Sequence, residues 1–281
     1  MDKIIINFTP TGMIPDKKQT PFVPISTQEI VDDVKEAYDL GITMVHLHAR
    51  NENNQEPCFK KEHCARIISG IREFSEDLVI CVSTSGRTFP ELSKRMDVLC
   101  LEGDLKPDMA SLTLSSLNFN KRASINEPET IIHLIKEMND RGIKPELEAF
   151  DSGMINYAKY LIKKGLLTPP YYINLILGNI ACAQPNLLHL GVMVNDLPED
   201  TLCSLGGIGN AQLSMNSLAI SMGMGVRIGL EDNIWYDYRR TKLAKNIDLL
   251  KRVHGIINAN EKVVMPSREL RNRLNLRNAN L

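Results

Sequence analysis

Along this chain, short apolar runs rich in Ile, Val and Leu alternate with longer stretches whose apolar residues recur every three to four positions. The first pattern predicts buried strands and the second amphipathic helices. Residues 3–8 (K-I-I-I-N-F) read as the first strand and lead into a Pro-, Gly- and Thr-rich loop lasting to about residue 27. Ser26 or Thr27 can cap the helix that follows, with Glu29 in its first turn and Val31, Val34 and Ala37 at helical spacing. Further strands are predicted at 43–50, 78–83, 109–114, 145–150, 171–177, 204–209 and 225–230. Helices are predicted at roughly 60–75, from about 90, and at 127–141, 156–164, 185–194, 211–222 and 238–256. A brief apolar stretch at 98–101 precedes the fourth strand.

Strand-then-helix units repeating about every thirty residues, with strands apolar nearly throughout, predict a closed parallel (β/α)8 TIM barrel. A doubly wound open sheet is the alternative, but no G-x-G-x-x-G follows the first strand. No Pro- or Ser-rich linker divides the chain, so residues 1–281 read as one barrel domain. The tail from about 265 to 281 is polar, basic and Asn-rich, which suits a loose end or an arm packed on a neighbouring subunit.

The second strand, residues 43–50 (T-M-V-H-L-H-A-R), ends in two histidines. Alternate residues of a strand share a face, so His46 and His48 project side by side, about 7 Å apart at Cα. Two imidazoles so spaced fit adjacent corners of one metal's coordination sphere, and neutral imidazole suits zinc. The plain alternative is a pair of histidines satisfied by hydrogen bonds. Barrel chemistry collects where strands end, so a third ligand is sought there. Those ends offer Ser83 on the third strand, Thr113 and Ser115 on the fourth, and Glu146, Glu148 and Asp151 on the fifth. The sixth adds Asn174 and Asn179, and the eighth adds Arg227, Glu231 and Asp232.

Glu231, just past an apolar strand, is the candidate third metal ligand. Two histidines and a glutamate with one position open make a catalytic zinc arrangement. Arg227 can orient an acid that acts as base, or clamp a substrate carboxylate. Gly206, Gly207 and Gly209 can bring backbone N–H groups to a phosphate, and a tight turn explains them equally well.

Composition narrows the classes further. Lys plus Arg number 33 and Asp plus Glu 34, a formal net charge of -1 with no like-charged block, which argues against a nucleic-acid partner. No apolar run reaches membrane-spanning length, and the start (M-D-K-I-I-I-N-F) lacks the pattern of a signal peptide. The six cysteines are scattered without a C-x-x-C pair and read as reduced thiols, so a cytoplasmic enzyme is expected.

Several stretches, taken together, resemble the β-keto acid cleavage enzyme family. They are Thr11-Gly12, V-H-L-H-A-R at 45–50, D-M-A-S-L-T at 108–113, P-E-L-E at 145–148 and G-L-E-D at 229–232, in order along essentially the whole chain. The resemblance implies a zinc-dependent TIM barrel that condenses a β-keto acid with acetyl-CoA and releases acetoacetate and a new acyl-CoA. By that resemblance His46, His48 and Glu231 hold the metal, the family's adjacent Asp and nearby Arg map onto Asp232 and Arg227, and Ser83 with Thr113 or Ser115 matches its active-site hydroxyls. Asp232, positioned by Arg227, is the candidate general base. A homo-oligomer is also implied. Many relatives carry a Glu after the first-loop T-G, where it holds a substrate amino group. Here Met13-Ile14-Pro15 stand there, so a substrate without an amine is expected.

Two other readings stay open at this point. A metal-dependent hydrolase on the same barrel is weakened because His63, His133, His189 and His254 all fall in helical stretches. A non-catalytic barrel with a structural zinc is weakened because such a site takes four protein ligands and only three are found.

Overall fold

The computed structural model describes residues 2–277. Eight parallel strands close into a barrel in chain order. They are β1 (Ile6–Phe8), β2 (Met44–Leu47), β3 (Val79–Val82), β4 (Met109–Thr113), β5 (Lys144–Ala149), β6 (Tyr171–Leu177), β7 (Thr201–Gly207) and β8 (Gly225–Ile228). Closure is made by β8 against β1, with Val226, Arg227 and Ile228 opposite Ile6, Asn7 and Phe8. Outside lie α1 (Thr27–Leu40), α2 (Lys61–Arg72), α3 (Leu92–Met96), α4 (Pro128–Asp140), α5 (Ser152–Lys163), α6 (Leu187–Asn195), α7 (Ala211–Ser221) and α8 (Asn246–Ala259). The expected TIM barrel is the observed one.

Side-chain alternation along the strands sorts the barrel interior into layers. At the base, Met44, Val79, Cys81, Met109 and Tyr172 form an apolar floor with Ile5. One layer nearer the mouth stand Asn7, His46, Glu146, Asn174 and Arg227, all buried. These polar groups sit within the strands one layer above the floor, which leaves the floor to carry hydrophobic stability.

A ninth helix, α9 (Ser267–Leu274), closes that floor from below. Met265, Leu270 and Leu274 pack onto the apolar layer, so residues 265–276 are neither a loose end nor an arm on another subunit. Residues 278–281 of the expected tail lie outside the described residues. Arg271 is drawn into this polar-looking helix by Asp108, to which its two Nη atoms donate at 2.8 and 2.7 Å. Arg72 Nη2 and the Ile80 N–H share the same carboxylate, at 3.0 and 2.9 Å.

Several boundaries differ from the sequence reading. The first predicted strand splits: Lys3–Ile4 pairs with Val263–Val264 beside the barrel, and only Ile6–Phe8 enters it. The brief apolar stretch at 98–101 lies mostly in a 3-10 turn, Asp97–Cys100, with Leu101 following it. Strand β7 begins earlier, at Thr201, and α8 begins later, at Asn246 rather than 238. In the latter stretch the Asp237 carboxylate accepts the N–H groups of Thr241 and Lys242, a turn that competes with helix.

Arg271→Met leaves Asp108 buried without its two-pronged partner and is expected to lower unfolding stability by about 3 kcal/mol. Guanidinium denaturation checks this; an unchanged midpoint would contradict the role given to the pair.

Candidate active site

Strand β2 carries His46 at its third residue, and His48 follows one position past the strand. Their Nε2 atoms face each other at 3.2 Å. His48 Nε2 also lies 3.1 Å from Glu231 Oε1, at the end of β8. The structure thus brings together the three residues expected to hold a metal. Their ligand atoms all lie within 4.8 Å of one another.

Each ligand is held from behind. His46 Nδ1 meets Glu146 Oε2 at 2.5 Å, which fixes the ring and leaves Nε2 for the cavity. Glu146 is saturated in turn: Asn7 and Asn174 donate to its Oε1 at 2.6 and 2.7 Å, and the Cys81 thiol donates to Oε2 at 3.1 Å. Arg227 Nη2 donates to Glu231 Oε1 at 2.7 Å, and its Nε to Asp232 Oδ2 at 3.0 Å. Arg227 Nη1 faces Glu148 Oε1 at 3.7 Å, while Thr113 Oγ1 donates to Glu148 Oε2 at 2.7 Å.

The sequence motifs acquire local reasons here. Gly12, at φ +66°, leaves room for Glu231: a Cβ there would stand 2.5 Å from Glu231 Cγ. Arg50, the last residue of H-L-H-A-R, donates to the Gly12 carbonyl at 2.8 Å and pins that loop. Asn246, the first residue of α8, accepts the Leu230 N–H at 2.8 Å and donates to the Pro10 carbonyl at 3.0 Å. It ties the loop after β1 to the segment that presents Glu231. Its amide also donates to Asp33 Oδ2 at 2.6 Å.

Electrostatics favours a cation between the histidines and Glu231. Burial alone lowers an imidazole's pKa, but the carboxylates of Glu146 and Glu231 outweigh it at His46 and push the ring up to about 9. At His48 burial dominates and the pKa falls below the usual histidine value. Burial works against ionised Glu231, yet Arg227 and the histidines hold it well below the usual carboxylate range. Burial lifts Asp232 to about 6 against the opposing pull of Arg227. Glu231 Oε2 is buried without a hydrogen-bond partner. One guanidinium facing Glu148, Glu231 and Asp232 leaves negative charge in excess. An orphan carboxylate oxygen, two inward Nε2 atoms and that excess fit a divalent metal.

A second cluster, His46, Cys81 and Glu146, is also compact enough for an ion. Its chemistry fits poorly. Burial and the Glu146 charge push the Cys81 thiol well above its ordinary pKa, so it stays a protonated donor and not a thiolate ligand.

A cavity of about 920 Å³ opens above these groups. Ser83 and Thr113 line it, as do Met13 and Ile14. Ser83 Oγ accepts the Ser85 N–H at 3.2 Å, leaving its proton for a substrate oxygen. Asn179 also faces the cavity. Ser115 turns to the Ser116 carbonyl, and Asp151 caps α5 through the Met154 N–H, so neither joins the site. The three glycines separate. Gly206 and Gly207 do not line the cavity, and both make room for packing: Cβ atoms would meet Arg227 Cβ at 3.1 Å and the Ala211 carbonyl oxygen at 2.6 Å. Gly209 does line it, beside Arg240.

A parallel barrel with two histidines and a set of Arg-bound carboxylates at its mouth defines an enzyme of the TIM-barrel class. The chain belongs to the β-keto acid cleavage enzyme family, whose profile matches residues 3–276. It is similar to the 3-keto-5-aminohexanoate cleavage enzyme of Fusobacterium nucleatum, 35% identical over 255 residues that span 90% of each chain. It is also similar to the 3-oxoadipate:acetyl-CoA acetyltransferase of Cupriavidus necator, 34% identical over 90% of this chain and 87% of that one. Among solved structures, the apo form of ObcA has the same fold, with a TM-score of 0.80 at 18% identity. That match covers 91% of this chain, which spans 66% of the ObcA chain. Family membership sets aside the hydrolase and non-catalytic readings.

Asn7, Glu146 as the His46 partner, and Asn246 escape sequence reasoning. Only Glu146 carried a signal, as one of two acids sharing a face in P-E-L-E.

Burial pushes the Asp33 carboxyl up to about 7. Its unfolded value is lower, so its stabilisation is complete below about pH 4 and is lost as pH rises through 7. Asp33→Asn is expected to be more stable than the parent at pH 8 and to lose that advantage by pH 4. Urea midpoints across this range check it; a pH-independent difference would contradict it.

Proposed function

We propose that this protein is a zinc-dependent β-keto acid cleavage enzyme that uses acetyl-CoA as co-substrate. The net reaction exchanges acyl groups: the β-keto acid and acetyl-CoA become acetoacetate and the acyl-CoA of the remaining fragment. The observation that carries this reading is the convergence of His46 Nε2, His48 Nε2 and Glu231 Oε1 beside an Arg227-bound Asp232. The names of the two curated relatives support the reaction class.

Zinc held by His46, His48 and Glu231 supplies Lewis-acid polarisation of a substrate carbonyl. Asp232 takes the proton from the carbon between keto and carboxylate groups. A carboxyl lifted to about 6 by burial is well matched to that task near neutral pH. Arg227 keeps Asp232 oriented and balances its charge. Ser83 donates to the oxygen on which negative charge develops. Thr113 acts at one remove, by holding Glu148. Arg240, which lines the cavity, gives the CoA phosphates a cation, while the Gly209 N–H is taken up by the Asp232 carbonyl at 2.8 Å.

Met13 and Ile14 present apolar surface to the cavity, and neither pairs with an ammonium. The substrate is therefore a β-keto acid without an amine at that end. A homo-oligomer in the cytoplasm completes the reading. The exposed Leu187, Leu188 and Val192 of α6 offer an apolar face for subunit contact, and no helix among the described residues is long and apolar enough to cross a membrane.

The test is acetoacetate formation from a panel of β-keto acids, with and without acetyl-CoA and chelator. Turnover is expected only with acetyl-CoA, to vanish on chelation, and to drop at least about 1000-fold in Glu231→Gln, on the scale of removing a catalytic electrostatic group. Turnover without CoA would overturn the reaction class. Equal rates on 3-keto-5-aminohexanoate and an uncharged analogue would overturn the assignment to Met13 and Ile14.

A further inference from the structure

The turn after β3 sends Arg87 into the same cavity as His46, His48 and Glu231. Its guanidinium carbon lies 3.8 Å from the centre of the Phe119 ring, which packs edge-on against Phe150 at 5.9 Å and 90°. That stack fixes the guanidinium plane and leaves its in-plane N–H edges free. Arg87 Nε is buried with no hydrogen-bond partner, and no carboxylate pairs with Arg87 among the described residues. Arg95, buried nearby, shows the contrast. Its guanidinium is taken up by the Thr84 and Ile125 carbonyls and the Asn126 amide oxygen at 2.7, 3.3 and 2.8 Å. Arg95 is saturated; Arg87 is not.

The surroundings of Arg87 make an anion the missing group. Burial and the Arg122 charge both act against its cationic form, and the carboxylate that acts on it is Glu231, within the site. Asp16, Glu56 and Glu148 also line the cavity, but none of them forms an ion pair with Arg87, and Met13 and Ile14 add no charge. A stacked guanidinium with its donor edge open is the geometry that takes a carboxylate through two parallel hydrogen bonds.

We infer that Arg87 receives a second carboxylate at the distal end of the substrate, so that the β-keto acid of this enzyme is a dicarboxylic one. This rests on the β-keto acid reading above and names its substrate class. The same oxyanion chemistry is offered by a CoA phosphate. Arg87 lines the cavity together with His46, His48 and Glu231, and Arg240 on the same wall offers a phosphate a separate cation.

The experiment compares 3-oxohexanedioate with the neutral 3-oxohexanoate in the intact enzyme, in Arg87→Met and in Arg87→Lys. The parent is expected to prefer the diacid by at least about tenfold in kcat/KM. In Arg87→Met that preference falls by about 100-fold, chiefly through KM for the diacid, as for loss of a charge-assisted pair. Arg87→Lys keeps the charge without the fork and recovers about a tenth of the loss. KM for acetyl-CoA stays the same with either acid. An increase in KM for acetyl-CoA common to both acids would overturn the inference in favour of a CoA phosphate, and an unchanged diacid preference would overturn it outright. Calorimetric binding of the unreactive adipate against hexanoate, in parent and Arg87→Met, separates the two readings without turnover. Arg87-dependent adipate binding with no acid turned over would sink the reaction and leave the anion site standing. Turnover with no Arg87-dependent adipate binding would do the reverse.

Discussion

Arg227 is the constraint on which the rest of the site depends. Its guanidinium is 2% exposed, at the level where β8 closes the barrel against β1. Removing such a charge from water costs several kcal/mol, which only close, hydrogen-bonded partners offset. Here the partners are Glu231, Asp232 and Glu148, two from the segment it shares and one from across the barrel. One cation therefore sets the position of a metal ligand, the charge of the candidate base and the far wall. Because it faces more negative charge than it cancels, it also leaves the site short of positive charge. A divalent ion between two histidines and Glu231 would supply what is missing.

The barrel makes this tolerable by separating the two kinds of interior. The floor is apolar and is sealed by α9, so hydrophobic burial is concentrated away from the chemistry. Above it, the polar layer is tied together around Glu146, while Asn7 Oδ1 and Arg227 Nη1 stay without a hydrogen-bond partner. Glu146 alone accepts from Asn7, Asn174 and Cys81 and meets His46. The contacts to Glu146 hold the His46 ring in place, with its Nε2 3.2 Å from that of His48.

The architecture was legible because barrel strands are apolar and periodic, and the pairing of His46 with His48 because H-x-H obeys the two-residue strand repeat. Glu231 was legible as an acid directly after an apolar strand. The supporting residues were not. Asn7 and Asn246 are single amides without a pattern, and their partners lie more than a hundred residues away or on other elements. The tail misled because α9 buries an arginine through Asp108 and offers only Leu270 and Leu274 as an apolar stripe. Gly206 and Gly207 misled because the packing they serve, against Arg227 and α7, leaves the same trace in sequence as a phosphate loop. Side-chain pairing across a barrel has no local signature.

The central claim is that the metal sits between His46, His48 and Glu231, above the Glu146 network. X-ray absorption at the zinc edge of the loaded protein tests this directly, because the competing cluster contains Cys81. A shell of nitrogen and oxygen at about 2.0–2.1 Å with two imidazoles and no sulfur is the predicted result. A sulfur scatterer at about 2.3 Å would place the ion on Cys81 and contradict the account.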